Sequence, residues 1–203
     1  MTLDPFYPIF DHADWLRRML PLGVRLVQLR FKTPEGAAPD EAEIASQVAE
    51  ARDLCRTHGA TLVVNDHWQQ AIDAGCDWIH LGQEDLDTAD LAAIRRAGLK
   101  LGISTHDRAE LERALSLNAD YIALGPVYPT ILKQMKWDPQ GPKRVTKWKS
   151  LVGDRPLVAI GGMTIERAAI VRAAGADVVS VVTDITLNAD PEGRLRDWIA
   201  ATR

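Results

Sequence analysis

Eight times along the chain a short, apolar, β-branched run alternates with a longer segment of helical spacing, and no other feature restricts the fold as much. The runs are YPIF (7–10), LVQLR (26–30), TLVVN (61–65), WIHL (78–81), KLGIS (100–104), YIAL (121–124), LVAI (157–160) and VVSVV (178–182). Their near-continuous apolar character suits parallel strands covered on both faces. Between them lie segments such as EAEIASQVAEARDLCRTHG, where Ile44, Val48, Ala51 and Cys55 recur at helical spacing, together with DLAAIRRAG, RAELERALSLN and TIERAAIVRAAG. Several end in Gly or Asn, as helix C-termini often do, and four run into a similar phrase: HGAT, AGCD, LNAD and AGAD. The economical solution is an α/β fold, one (β/α)8 TIM barrel over residues 1–203. Counting strands does not establish closure, so an open doubly wound sheet is the competing arrangement. No G-x-G-x-x-G follows the first strand, and a dinucleotide-binding reading has no support.

Composition narrows the function classes. With 46% hydrophobic and 26% charged residues there is ample material for a core and no signature of disorder. A net charge of −4 provides no basic excess to displace counterions from a phosphate backbone, which argues against nucleic-acid and membrane-surface partners. Cys55 and Cys76 have neither disulfide-framework nor metal-ligand spacing and are expected to be buried free thiols. The start, MTLDPFYPIFDHADW, has no basic region followed by an apolar run, and no stretch reaches about 18 apolar residues. The expectation is a cytoplasmic protein. Trp68 and Trp137 flank candidate site residues and read either as packing or as partner surface, which leaves a homo-oligomer open.

In a barrel of this kind the chemistry sits at the carboxyl ends of the strands, and unusual polar residues cluster at those positions. After strand 2, alternation places Gln28, Arg30 and Lys32 on one side of the chain. Strand 3 ends in Asn65 and Asp66, and the loop after strand 4 reads GQED, ending in Asp85. Neighbouring strands lie about 4.8 Å apart, so carboxylates from two successive strand ends can reach one cation. Mg²⁺ is the candidate, since it takes one or two carboxylates with phosphate oxygens and water. The competing reading makes Asp66 the cap of the next helix, and Asp85 or Asp87 the cap of the one after. Strand 5 supplies Ser104, a candidate ligand hydroxyl, and His106, either a catalyst or a hydrogen-bonded structural group. Strand 7 runs into Gly161, Gly162 and Thr164, and strand 8 into Val182 and Thr183, at the positions of the recurrent phosphate site of this fold. A plain turn would use the same glycines.

The segment GPVYPTILKQMKWDPQGP (125–142) has four prolines and no apolar period. Loops beyond about 12–15 residues are uncommon unless functional or disordered. Placed between a metal pair and a phosphate site, and carrying Lys133 and Lys136, it reads as a lid over an anionic ligand.

Six strings in register, QLRFK, VVND, HLGQED, GISTH, GPVYPT with Lys133 three residues on, and VAIGG, resemble the successive motifs of the thiamine-phosphate synthase (thiamin phosphate pyrophosphorylase) family, from about Tyr7 to Trp198. The resemblance implies a (β/α)8 transferase that joins hydroxymethylpyrimidine diphosphate to thiazole phosphate and releases pyrophosphate, with Mg²⁺ as cofactor. It implies that Gln28, Arg30, Lys32, Asn65, Ser104 and Lys133 bind the pyrimidine diphosphate, that Asp66 and Asp85 hold Mg²⁺, and that Thr130, Gly162, Val182 and Thr183 contact the thiazole phosphate. Arg30, Lys133 and Ser104 are expected to carry the chemistry. Three positions depart from the family pattern. Leu132 stands where a second hydroxyl residue is common, His67 where an arginine often follows ND, and Thr183 where serine is frequent. Two other readings compete: a thiazole tautomerase of the same family, for which His106 would serve as the acid/base, and a non-catalytic phosphate-binding barrel.

Overall fold

A computed structural model describes residues 3–31, 40–131 and 137–203. Eight strands, β1 (Phe6–Phe10), β2 (Leu26–Leu29), β3 (Thr61–Asn65), β4 (Trp78–Leu81), β5 (Lys100–Thr105), β6 (Tyr121–Leu124), β7 (Leu157–Ala159) and β8 (Val178–Val181), lie within one residue of the sequence expectation. All pairings are parallel, in sequential order. The open-sheet alternative is excluded because β1 pairs on both sides, Ile9 with Gln28 of β2 and Phe6 with Val179 of β8, closing the barrel.

Nine α-helices are seen among the described residues: α1 (Ala13–Met19), α2 (Glu41–His58), α3 (Trp68–Asp73), α4 (Leu91–Arg96), α5 (Arg108–Ser116), α6 (Gly141–Val152), α7 (Ile165–Ala173), α8 (Thr183–Thr186) and α9 (Pro191–Thr202). The longest, α2, is capped by Asp40, whose carboxylate accepts from the Ala42 and Glu43 N–H groups, and buries Ile44, Val48, Ala51 and Cys55 as its spacing predicts. The repeated phrase before four strands has a backbone cause. Gly59, Gly75, Asn118 and Gly175 all adopt positive φ, the left-handed turn that ends a helix. In two of the four the following aspartate then stitches the sheet, since Asp120 Oδ2 accepts from Leu101 N–H and Asp177 Oδ2 from Leu157 N–H, each at 2.8 Å.

Strand alternation splits the apolar residues into two cores. One face of each strand packs against the helices, with Phe6 stacked on Trp198 of α9 at 5.7 Å and Trp148 of α6 fully buried. The other face fills the barrel with Tyr7, Leu26, Val63, Trp78, Tyr121 and Val158. Gly102 of β5 makes room there, because a Cβ at that position would fall 2.0 Å from the Tyr121 ring. Cys55 and Cys76 are free and buried as expected, and burial pushes their thiols up to about 12 and about 11. Trp68 packs against the main core. No helix among the described residues is long and apolar enough to cross a membrane.

The far end of the 125–142 segment is helical. Gly141 and Pro142 already belong to α6, where proline suits a first helical turn that has no use for its missing N–H. The loop's two ends are tied together: Gln140 N–H donates to Pro126 O, Gly141 N–H to Val127 O and Gln140 Nε2 to Gly125 O, all at 2.9 Å. Tyr128 N–H donates to Gly161 O, which fastens the loop base to the end of β7.

Candidate active site

At the carboxyl ends of the strands a cavity of about 570 Å³ opens into the barrel, lined by Gln28, Arg30, Asn65, Asp66, Asp85, Ser104, Thr130, Gly162, Val182 and Thr183. Ten of the twelve residues to which the resemblance gives a site role therefore meet in one place. The other two, Lys32 and Lys133, lie outside the described residues, as do Leu132 and Lys136. A more open depression of about 880 Å³ at the opposite end of the barrel, beside Pro5, Pro156 and Val178, gathers none of them.

The two carboxylates are not helix caps. Position N-cap of α3 is His67, with no side-chain cap bond, and α4 is capped by Asp90, whose Oδ1 accepts from Ala93 N–H at 2.8 Å. Asp66 instead sits in the left-handed region at φ 64°, a conformation uncommon outside glycine that recurs at functional sites. Asp85 opens a short 3₁₀ turn, Asp85–Asp87, and its Oδ2 accepts from Gly82 N–H at 3.0 Å. Gly82 allows that fold-back, since a Cβ there would come within 2.9 Å of the same oxygen. Asp87, the other cap candidate, pairs with Arg113 at 2.6 Å. No arginine or lysine among the described residues pairs with Asp85, so its charge is left for the cavity. Among those residues no group of three His, Cys, Asp or Glu side chains is placed to hold a metal ion. Two carboxylates at the ends of adjoining strands are nevertheless the kind of donor set that would suit Mg²⁺, an ion usually held by one or two carboxylates together with phosphate oxygens and water.

On the far side of the cavity the glycine pair is explained partly by packing. Gly162, at φ 61°, would place a Cβ 2.3 Å from Pro129 O of the loop after β6. Arg167 secures the same corner by donating to Gly162 O and lying over the Tyr128 ring at 4.6 Å. The backbone N–H groups of Gly162 and Thr183 meet no protein acceptor among the described residues. Both border the cavity, as an anion site at the loops after β7 and β8 requires. Thr183 begins α8, the short extra helix of that arrangement.

Residues that the sequence did not single out form the floor. A buried row of hydrogen bonds runs from Gln28 Nε2 to Tyr7 Oη (2.8 Å), Tyr7 Oη to Tyr121 Oη (3.1 Å), Tyr121 Oη to His80 Nδ1 (2.7 Å) and His80 Nε2 to Ser104 Oγ (2.8 Å). Burial, against a smaller opposing effect of Asp85, lowers the His80 pKa from 6.5 to about 4, so the ring is uncharged near neutrality. Burial likewise raises both tyrosines well above their ordinary range. Ser180 also borders the cavity, and its buried hydroxyl has no hydrogen-bond partner among the described residues. The available signal was a polar atom inside a buried strand: Tyr7 in FYPIF, His80 in WIHL and Tyr121 in YIAL. His106 borders the cavity too, but its Nδ1 is held by Glu110 at 2.7 Å and its ring stacks on Trp137 at 5.7 Å.

Comparison with known proteins places the chain in a family. The family model described as thiamine monophosphate synthase matches residues 6–185. A thiamine-phosphate synthase of Rhizobium etli is 59% identical over 202 residues, covering 100% of this chain and 97% of that protein. One from Neisseria meningitidis is 44% identical, covering 96% and 93%. The solved thiamine phosphate pyrophosphorylase of Pyrococcus furiosus superposes with a TM-score of 0.83 at 26% identity, covering 98% and 95% of the two chains. A 3-hexulose-6-phosphate synthase, at 15% identity and TM-score 0.68, shares the barrel fold alone. The chain belongs to the thiamine monophosphate synthase family.

Proposed function

We propose that the chain is a thiamine-phosphate synthase, a transferase of thiamine biosynthesis, working as one barrel unit over residues 1–203. The observation that carries this reading is the meeting of Asp66 and Asp85 with Arg30, Gln28 and Ser104 in one cavity, in a chain 59% identical to a protein named for that activity. In the reaction the bond between the pyrimidine CH₂ carbon and the diphosphate oxygen breaks with its electron pair going to oxygen. The electron-rich aminopyrimidine stabilises the carbon left behind, and the thiazole nitrogen lone pair forms the new C–N bond. Pyrophosphate and thiamine phosphate are the products.

The chain's part in this is positioning and electrostatics. Arg30 makes no ion pair among the described residues, so its guanidinium is available to the diphosphate; Lys32 and Lys133 are assigned the same task. Gln28, Asn65 and Ser104 bind and orient the pyrimidine half. Thr130, Gly162, Val182 and Thr183 receive the thiazole phosphate, and the loop that starts at Gly125 restricts water. Asp66 and Asp85 would hold Mg²⁺, which when bound offsets the charge that grows on the departing diphosphate. Removing one well-aimed charge from such a site typically costs about 10²- to 10³-fold in rate. No protein nucleophile is needed.

The tautomerase reading rests on His106, which borders the cavity; it has no use for the Asp66 and Asp85 pair. Mixing the two substrates with Mg²⁺ and following pyrophosphate separates the readings. The synthase releases it, Asp66→Ala and Asp85→Ala lose that release, and His106→Ala keeps most of it. Release by neither the parent chain nor the variants refutes the proposal.

A further inference from the structure

The buried row across the barrel floor ends at two residues assigned to the same substrate half, Gln28 and Ser104, and its chemistry couples them. Tyr7 Oη has two hydrogen-bond partners among the described residues, Gln28 Nε2 and Tyr121 Oη. Since Tyr7 accepts from the Gln28 amide, its own hydrogen goes to Tyr121. Tyr121 then donates to His80 Nδ1, and an imidazole that accepts at Nδ1 carries its proton on Nε2, which donates to Ser104 Oγ. The Ser104 hydrogen is left for the cavity, and so is the carbonyl oxygen of Gln28. Turning the Gln28 amide over reverses every bond together. A mixed arrangement strands a donor or leaves two donors facing each other in a site where Tyr7, Tyr121, Gln28 and His80 are all buried.

We propose that Tyr7, Tyr121 and His80 are positioning residues that lock Gln28 and Ser104 into opposite polarities, acceptor at Gln28 and donor at Ser104, and so select an aminopyrimidine edge, which offers an amino donor beside a ring-nitrogen acceptor. The substrate half of this inference rests on the function proposed above; the polarity of the row does not. An oxo-pyrimidine, whose edge has donor and acceptor exchanged, meets the wrong group at both ends. Gly102 belongs to the same device, because its missing side chain is what lets the Tyr121 ring lie across the barrel.

Two measurements test it. In the ligand-free full chain labelled with ¹⁵N-histidine, long-range ¹H–¹⁵N correlations at neutral pH should give His80 a bare Nδ1 and a protonated Nε2, with His80→Gln identifying its signals among the five histidines. A protonated Nδ1 or an exchanging mixture overturns the proposed polarity. Tyr121→Phe keeps the ring and removes the central link. It should convert His80 to a mixture of tautomers and raise KM for the pyrimidine diphosphate about tenfold, with KM for the thiazole phosphate unchanged. A fixed tautomer in the parent chain combined with an unchanged pyrimidine KM in Tyr121→Phe refutes the positioning role. Absence of turnover in the parent refutes the functional reading instead, and the tautomer measurement, made without substrate, then decides the row on its own.

Discussion

His80 makes the stability of this barrel depend on pH in a calculable way. The residue is 7% exposed, and its ring is hydrogen-bonded at both nitrogens and held near a pKa of about 4 against an ordinary value of 6.5. Because the folded value is depressed, the unfolded chain binds the proton first as pH falls. Stability from this group is therefore complete above about pH 6.5 and is lost progressively down to about pH 4. At about 1.36 kcal/mol per pH unit the loss across that window is about 3 kcal/mol, a large part of the 5–15 kcal/mol or so that holds an ordinary domain together. Urea unfolding in chelator at steps from about pH 7 to about pH 4.5, for the parent chain and His80→Gln, isolates the effect. The variant is offset by a constant at neutral pH, and the gap between the two curves then narrows or reverses toward acid by about 2–3 kcal/mol. Parallel curves would refute the argument, since they would mean that the buried imidazole takes up its proton without opposing the fold.

Three further outcomes follow from the packing. Gly102→Ala sets a Cβ 2.0 Å from the Tyr121 ring and should destabilise the fold by about 1–3 kcal/mol, seen as a lowered Tm, while raising KM for the pyrimidine diphosphate. Gly162→Ala places a Cβ 2.3 Å from Pro129 O at φ 61° and should raise KM for the thiazole phosphate by about tenfold or more, leaving the pyrimidine KM near its parent value in steady-state kinetics. Asp85→Asn keeps the acceptor for Gly82 N–H but removes the charge. Its Tm should stay within a few degrees of the parent, while turnover falls about 10²-fold or more.

The sequence made the barrel legible because strand and helix periods repeat eight times and each repeat carries its own signals. The helix-ending turn at Gly59, Gly75, Asn118 and Gly175, and the apolar stripe from Ile44 to Cys55, are local features with one physical solution each. Closure was not local. It depends on β1 meeting β8, about 170 residues apart, and no window of sequence contains that pairing. The rim of the site was readable for the same reason as the strands: polar side chains at strand ends are conspicuous. Its floor was not, because Tyr7, His80 and Tyr121 each look like ordinary strand residues until the barrel brings them within hydrogen-bonding distance. Helix α6 was hidden behind the prolines and glycines of the preceding loop, although Pro142 is suited to a helix start.

The central claim is that Asp66 and Asp85 together hold a divalent cation against a diphosphate. Titrating Mn²⁺ into the chain with pyrophosphate and following the free ion by electron paramagnetic resonance tests this without turnover. The account predicts one Mn²⁺ bound per chain when pyrophosphate is present, weakened at least tenfold in Asp66→Asn and in Asp85→Asn. Equal binding by the parent and both variants would contradict it.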